Sequence, residues 1–202
     1  MAQKSIVVLG GSPRAHGNSD CFAECFARGV AAGGGSVQLV HMRAFHVQPC
    51  TGCHACVQLP KHACVLGGQD DAEQLFALVQ QAPLVLIVSP IYFYALPAGL
   101  KAFVDRAQRF WAGGAAQGTG LPLWAGFIAG RPRGEKLFAG SELCLRYFAA
   151  ALGRQLTETL PCKGYDAQHD LQQDTLQCAA IEAWGRKAAA TAQAVLAGSC
   201  SA

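Results

Sequence analysis

Apolar and polar positions alternate along this chain between two kinds of stretch. Short unbroken apolar runs, Ser5 to Leu9 and Leu84 to Val88, read as strands buried on both faces. Longer stretches with apolar residues three and four apart read as helices packed on one side. After the first strand, Cys21, Phe22, Cys25, Phe26 and Val30 predict a helix ended by Gly33-Gly34-Gly35. A second strand follows at Val37 to His41, and a helix over Gln69 to Gln81 starts with Asp and Glu, as the helix dipole favours. The central run at 84–88 closes on Ser89-Pro90. Pro97 then opens a helix with Leu100, Phe103, Val104, Ala107, Phe110 and Trp111 as its inner stripe. A small-residue loop from Gly113 to Gly120 leads to a strand over Leu123 to Ala129 and a helix over Lys136 to Leu152. A fifth strand near Gln155 to Leu160 and a helix from about Leu171 to Leu196 complete the pattern. There is no internal repeat.

Strands alternating with helices predict an α/β fold with a parallel sheet covered on both faces. In such sheets ligands bind beyond the carboxyl ends of the strands, where the strand order switches. Three loops leave those ends: Gly10 to Asn18, Pro90 to Leu96 and Gly130 to Glu135.

The chain has 202 residues, enough for one sizeable core, and its even composition predicts a single domain over 1–202 with a cysteine-rich insert at about 43–68. The formal charge is +3, and the 16 lysines and arginines are scattered, which argues against a nucleic-acid partner. One lysine precedes a short apolar run that ends in glycines, a pattern of neither a signal peptide nor a membrane span, so the expected location is cytoplasmic. Of ten cysteines, Cys21, Cys25, Cys144, Cys162, Cys178 and Cys200 show no ligand spacing, and core filling is their default reading.

The first loop, Gly10-Gly11-Ser12-Pro13-Arg14-Ala15-His16-Gly17-Asn18-Ser19, joins a strand to a helix start. Backbone N–H groups, the Ser12 and Ser19 hydroxyls, the Asn18 amide and the Arg14 guanidinium would converge where a helix end already favours an anion. The segment matches neither the P-loop nor the dinucleotide fingerprint, and the plainer alternative is a turn capped by Asn18 or Ser19. The second loop, Ser89-Pro90-Ile91-Tyr92-Phe93-Tyr94-Ala95-Leu96-Pro97, holds three aromatics between two prolines. These rings either pack on neighbouring helices or a partner subunit, or stack a planar ring on Tyr92 or Phe93 with main-chain N–H groups at its edge. A phosphate site and a flat-ring site at adjacent strand ends together fit flavin mononucleotide, FMN.

With Leu100-Lys101-Ala102-Phe103-Val104-Asp105-Arg106 added, these motifs resemble the NAD(P)H-dependent FMN reductase group of flavodoxin-like proteins. The resemblance implies a three-layer sandwich with a five-stranded parallel sheet in the order 2-1-3-4-5, FMN at the strand ends, and a homodimer or homotetramer. It places Ser12, Arg14, Gly17, Asn18 and Ser19 on the phosphate, and Pro90, Ile91, Tyr92, Phe93 and Gly130 around the ring. Asp105 and Arg106 read as a structural helix pair or interface contact. The third loop, Gly130-Arg131-Pro132-Arg133-Gly134-Glu135, departs from the smaller residues such a loop would carry, which leaves open a grip of Arg131 and Arg133 on a nicotinamide cofactor's phosphates.

Cys50, Cys53, Cys56 and Cys64 have the form C-x2-C-x2-C-x7-C. Three thiolates from one tight turn and a fourth from further on suit a [4Fe–4S] cluster, and the arrangement resembles the cluster motif of the iron–sulfur flavoproteins. Zinc, which more often takes two separated pairs, plain packing and a redox-active pair remain alternatives. The function implied is an oxidoreductase that takes electrons from NAD(P)H through FMN to a small-molecule or protein acceptor. Its rivals are a one-electron carrier between protein partners and a flavin-free sensor. No nucleophile elbow or triad is present, so no side chain is assigned as catalytic.

Overall fold

The computed structural model describes residues 4–114 and 120–198. Five parallel strands, β1 (Ile6–Gly10), β2 (Val37–His41), β3 (Val85–Pro90), β4 (Leu121–Ala129) and β5 (Arg154–Lys163), form one sheet in the order β2-β1-β3-β4-β5. The flavodoxin-like order expected from the sequence is therefore present. The helices are α1 (Asn18–Ala32), α2 (Ala55–Gln58), α3 (Ala72–Gln81), α4 (Ala98–Asp105), α5 (Gln108–Ala112), α6 (Ala139–Ala151), α7 (Asp170–Gln173) and α8 (Thr175–Gly198).

Because side chains alternate along a strand, the sheet feeds two separate cores. Val7, Leu9, Val85, Ile87, Leu123 and Phe127 meet Leu75 and Phe76 of α3, Phe103 of α4 and Phe148 of α6. Ile6, Val8, Leu84, Leu86, Trp124 and Ile128 meet Phe22 and Phe26 of α1 and Ile181 of α8. Each large apolar side chain taken fully out of water contributes about 1.5–3 kcal/mol, so these two layers carry the fold. On the second face Trp124 stacks on Trp184 at 4.9 Å between centroids, with the Phe26 ring edge-on to Trp184 at 5.5 Å.

Helices α1 and α8 pack unusually close. A Cβ on Gly29 would lie 2.0 Å from the Glu182 carbonyl oxygen, and one on Gly185 would lie 2.3 Å from that of Phe26. Only glycine fits this crossing. Gly29 meets Glu182 and Gly33 meets Arg186, so the two helices run in the same direction.

Buried polar groups fix several joints. Arg154, at the start of β5, donates to the carbonyls of Val79 and Ala82 at 2.5 Å and of Pro122 at 3.2 Å, which satisfies the open C-terminal end of α3. Burial holds its pKa down to about 10.

The helix expected over Gln69–Gln81 begins at Ala72, because the Asp70 carboxylate accepts the Ala72 N–H at 3.1 Å. The helix opened by Pro97 breaks into α4 and α5 where Arg106 turns inward, which leaves Trp111 53% exposed rather than on an inner stripe. The last helix breaks at Asp174, whose carboxylate accepts the Gln177 N–H and the Tyr165 hydroxyl, both at 2.9 Å. The Gly113 to Gly120 loop lies mostly outside the described residues, as does Cys200. Among the described residues no helix is long and apolar enough to cross a membrane.

Candidate functional site

Register across the sheet brings the ends of β1, β3 and β4 together: Gly10 pairs with Val88, and Pro90 with Ile128. The three loops thus open on one edge.

In the first loop, Gly11 donates its N–H to Val88 at 2.7 Å and packs its Cα face against Leu100, where a Cβ would lie 2.6 Å from Cδ2. Ser12 is buried and folds a local turn, its hydroxyl donating to the Arg14 carbonyl at 3.0 Å and accepting the Arg14 N–H at 3.2 Å. The Arg14 side chain is exposed, and its guanidinium has no partner among the described residues. Gly17 is the N-cap of α1 and offers no side-chain cap, so the first N–H groups of that helix stay open. Arg43 braces the loop from behind, with Nη1 and Nη2 each 2.9 Å from the Asp20 carboxylate, which also accepts the His16 N–H at 2.7 Å.

Asn18 departs from its expected role. Its Nδ2 donates to the carbonyls of Tyr165 and Ala167 at 3.1 and 2.8 Å, and its Oδ1 accepts the Leu171 N–H at 3.0 Å. All of the amide's stronger bonding capacity is spent on the segment after β5, so the side chain ties that segment down instead of facing the loop. Only its backbone N–H remains for an anion. Ser19 is buried in the first turn of the same helix.

The second loop is a tight turn. Tyr92 and Ala95 exchange hydrogen bonds of 3.0 and 3.1 Å, and the two residues between them, Phe93 and Tyr94, both have left-handed backbones, with φ of 52° and 64°. This is the geometry that Asn-Gly normally fills, and a bulky residue there costs roughly 1–2 kcal/mol. Phe93 is 101% exposed at the tip. The N–H of Ile91 is used by Ile128 at 2.8 Å, whereas those of Phe93 and Tyr94 have no partner among the described residues. A cavity of about 310 Å³ lies on one side, between Ser12 and Tyr92, and one of about 410 Å³ on the other, between Phe93, Gly130 and Arg131. Arg131 bonds the Tyr94 hydroxyl at 2.6 Å and so ties the third loop to the second. Gly130 packs against Asp166, where a Cβ would lie 2.3 Å from Oδ1.

The cysteine-rich segment between β2 and α3 surrounds a separate cavity of about 310 Å³, lined by Cys50, Cys53, Cys56 and Cys64 together with Arg106 and Arg109. All four thiols are free. The backbone turns here on Gly52 and His54, at φ of 65° and 57°. The Cys53 thiol is held below its ordinary pKa by the Ala55 N–H and then by the Thr51 hydroxyl. No three of the quartet's sulfurs lie within 4.8 Å of one another, a spacing wider than the about 3.8 Å of thiolates sharing one tetrahedral zinc.

Arg106 supplies the cavity's inner wall. The pair expected with Asp105 does not form: Asp105 bonds Lys101 at 2.5 Å, while Arg106 Nη1 bonds Asp70 at 2.5 Å and the Gln48 carbonyl at 3.2 Å. Its Nε and Nη2 are buried and meet no hydrogen-bond geometry with any of the described residues, although the Cys64 thiol acts on the guanidinium from the cavity side. Orphaned donors on a buried cation are costly, and here they belong to a residue that lines the thiol cavity.

The sequence model of the family described as NADPH-dependent FMN reductase matches residues 5–134. The chain belongs to this family. An iron-sulfur flavoprotein of Archaeoglobus fulgidus is 34% identical over 103 residues, covering 51% of this chain and 44% of the relative. A Bacillus subtilis protein provisionally named as an NAD(P)H-dependent FMN-containing oxidoreductase is 28% identical over 105 residues, covering 50% of each. The chain thus aligns with about half the length of these curated relatives. The solved structure of an NAD(P)H:quinone oxidoreductase from Methanothermobacter marburgensis superposes with a TM-score of 0.68 at 15% identity, covering 92% of this chain and 96% of that one, and shows the shared fold.

For this FMN reductase family member, Arg43 and Asp166 had no signal in the sequence, and neither lies in the three loops' motifs as read there. Arg106 stood in the Leu100–Arg106 motif, but only as a structural helix pair or interface contact, not as a wall of the thiol cavity.

Proposed function

We propose that the chain is an FMN-dependent oxidoreductase that takes electrons from NAD(P)H and passes them to a small-molecule or protein acceptor. The reading rests above all on an exposed Arg14, without a partner among the described residues, beside a helix start with no side-chain cap, one loop away from an exposed aromatic turn. Arg14, the Ser12 loop and the first N–H groups of α1 would hold the phosphate. Tyr92, Phe93 and Ile91 would meet the ring, with the free N–H groups of Phe93 and Tyr94 at its edge and Gly130 beyond it. Bound there, the flavin supplies hydride acceptance and release. The residues around it position it and leave one face open to the donor. Arg131, with one Nη committed to Tyr94, keeps donors for a nicotinamide cofactor's phosphates. No side chain is needed as a general acid or nucleophile.

The quartet favours a second component. Cys50, Cys53, Cys56 and Cys64 would ligate a [4Fe–4S] cluster, which supplies one-electron traffic when present, and the orphaned Nε and Nη2 of Arg106 would donate to its sulfurs. This addition supports the alternative role of an iron–sulfur flavoprotein serving protein partners, and a homodimer or homotetramer is the assembly we expect.

Anaerobic protein loaded with FMN and mixed with NADPH or NADH tests the first reading. Bleaching of the flavin at turnover rates supports it, and a flavin that binds but resists both donors overturns the enzyme in favour of the carrier. Iron and acid-labile sulfide analysis of anaerobically purified protein decides the cluster.

A further inference from the structure

Beyond the first loop, against the α1–α8 pair, the sulfurs of Cys21, Cys25 and Cys178 lie within 4.8 Å of one another. Cys21 and Cys25 are one helical turn apart on α1, their sulfurs 4.0 Å from each other. Cys178 comes from α8, one turn before Glu182, and the Gly29 crossing sets its approach. We propose that these three thiols form a binding site for a zinc ion, separate from the cysteine quartet.

The chemistry of the donors selects a soft cation, because three sulfur ligands suit zinc and exclude magnesium or calcium. Thiolates sharing a tetrahedral zinc at about 2.3 Å stand about 3.8 Å apart. The Cys21–Cys25 separation already matches that, and Cys178 needs to move by no more than about 1 Å. Arg28, with Nη2 3.1 Å from the Cys25 sulfur, offsets the surplus negative charge of three thiolates on a divalent ion and is itself held through Nε, which donates to Glu182 at 2.8 Å. The Cys178 thiol donates to the Leu171 carbonyl at 3.2 Å, a bond given up on ligation. A cavity of about 480 Å³ opens over the thiols and is also lined by His16, Glu24 and His169, so the fourth position is reachable by water or one of these side chains. Each thiol that ligates releases its proton to solvent, and no redox partner is required.

Sequence spacing concealed this site, since Cys178 lies far along the chain from the other two. The one local signal was the i, i+4 placement of Cys21 and Cys25 on a single helix face.

The test is zinc stoichiometry by equilibrium dialysis of the purified full chain, quartet intact, against Cys178→Ala and against Cys144→Ala, a half-buried cysteine outside both groups. Wild type and the Cys144→Ala protein should hold one zinc more than Cys178→Ala, and cobalt in place of zinc should add a thiolate charge-transfer band that Cys178→Ala lacks. Affinity for that ion should fall by more than about tenfold, the loss that perturbing outer ligands alone already produces. Equal stoichiometry and equal spectra in all three overturn the proposal. Since a core substitution can unfold the protein, alkylation of the wild type is the second measurement. Zinc should slow labelling of Cys21, Cys25 and Cys178 mapped by peptide mass, and identical labelling with and without zinc overturns the site.

Discussion

Arg106 reaches across from the end of α4 to place Nη1 2.5 Å from Oδ2 of Asp70, with the two side chains 1% and 0% exposed. A pair this deep is strongly coupled to folding of the cysteine segment, because Asp70 also accepts the Gln48 N–H at 2.9 Å. Replacing Arg106 with Met strands a buried carboxylate and should cost about 3–5 kcal/mol. Thermal denaturation measures this. Arg106→Lys, which keeps the charge but loses the planar fork, should melt closer to wild type and yet lose iron faster in air if the orphaned donors hold a cluster.

The same pair sets a pH limit. Burial opposes ionisation of Asp70, but the Gln48 N–H and the Arg106 guanidinium outweigh it and hold the carboxyl below its ordinary range. A depressed folded-state value gives stability that is complete above the unfolded value near about 3.9 and is lost as pH falls through the folded one. Stability should therefore drop from about pH 4 downward. Asp70→Asn should flatten that drop in denaturant titrations run at successive pH values, at the expense of stability near neutrality.

Arg14 and Asn18, neighbours in one motif, should respond in opposite ways. Arg14→Ala removes an exposed guanidinium that has no partner among the described residues, so melting should be unchanged while FMN affinity falls about tenfold, less at high salt. Asn18→Ala breaks three hydrogen bonds to the 165–171 segment and should cost about 2–3 kcal/mol with a smaller effect on flavin affinity. Flavin fluorescence titrations beside melting curves separate the two; equal losses of affinity would return Asn18 to the phosphate.

The turn at Phe93 and Tyr94 holds strain of the kind that binding loops retain. A Phe93→Asn, Tyr94→Gly double variant should relieve roughly 1–2 kcal/mol and raise the melting temperature, while weakening flavin binding by removing the exposed ring. A gain in both stability and affinity would show that Phe93 has no part in the site.

Arg154→Met should leave the carbonyls of Val79, Ala82 and Pro122 without donors and cost about 3 kcal/mol. For a chain this size that lowers the melting midpoint by roughly 6–12 °C.

Local pattern carried much of this structure. The apolar runs at 5–9 and 84–88, each followed at once by turn residues, marked buried strands, and β2 was found residue for residue. Loops at the strand ends were legible because glycine, proline and aromatic residues cluster there for conformational reasons that act within a few residues. What stayed hidden depends on contacts distant in sequence. Asn18 looked like an anion ligand until its partners at Tyr165 and Leu171 were in place, and Arg106 looked like a helix pair with Asp105 or an interface contact until Asp70, 36 residues earlier, came to meet it. The breaks at Arg106 and Asp174 belong to the same class, since each helix ends where a polar side chain finds a remote partner that outcompetes the next turn.

Helix α1 is a single rod with its open amino end at the Ser12 loop, Cys21 and Cys25 just below, and Gly29 seated on α8 further down. Because backbone touches backbone at that seat, the rod has almost no freedom to slide along its own axis. An added methyl at Gly29 would therefore wedge the rod sideways off its neighbour, disturbing two chemically unrelated features from a position that touches neither.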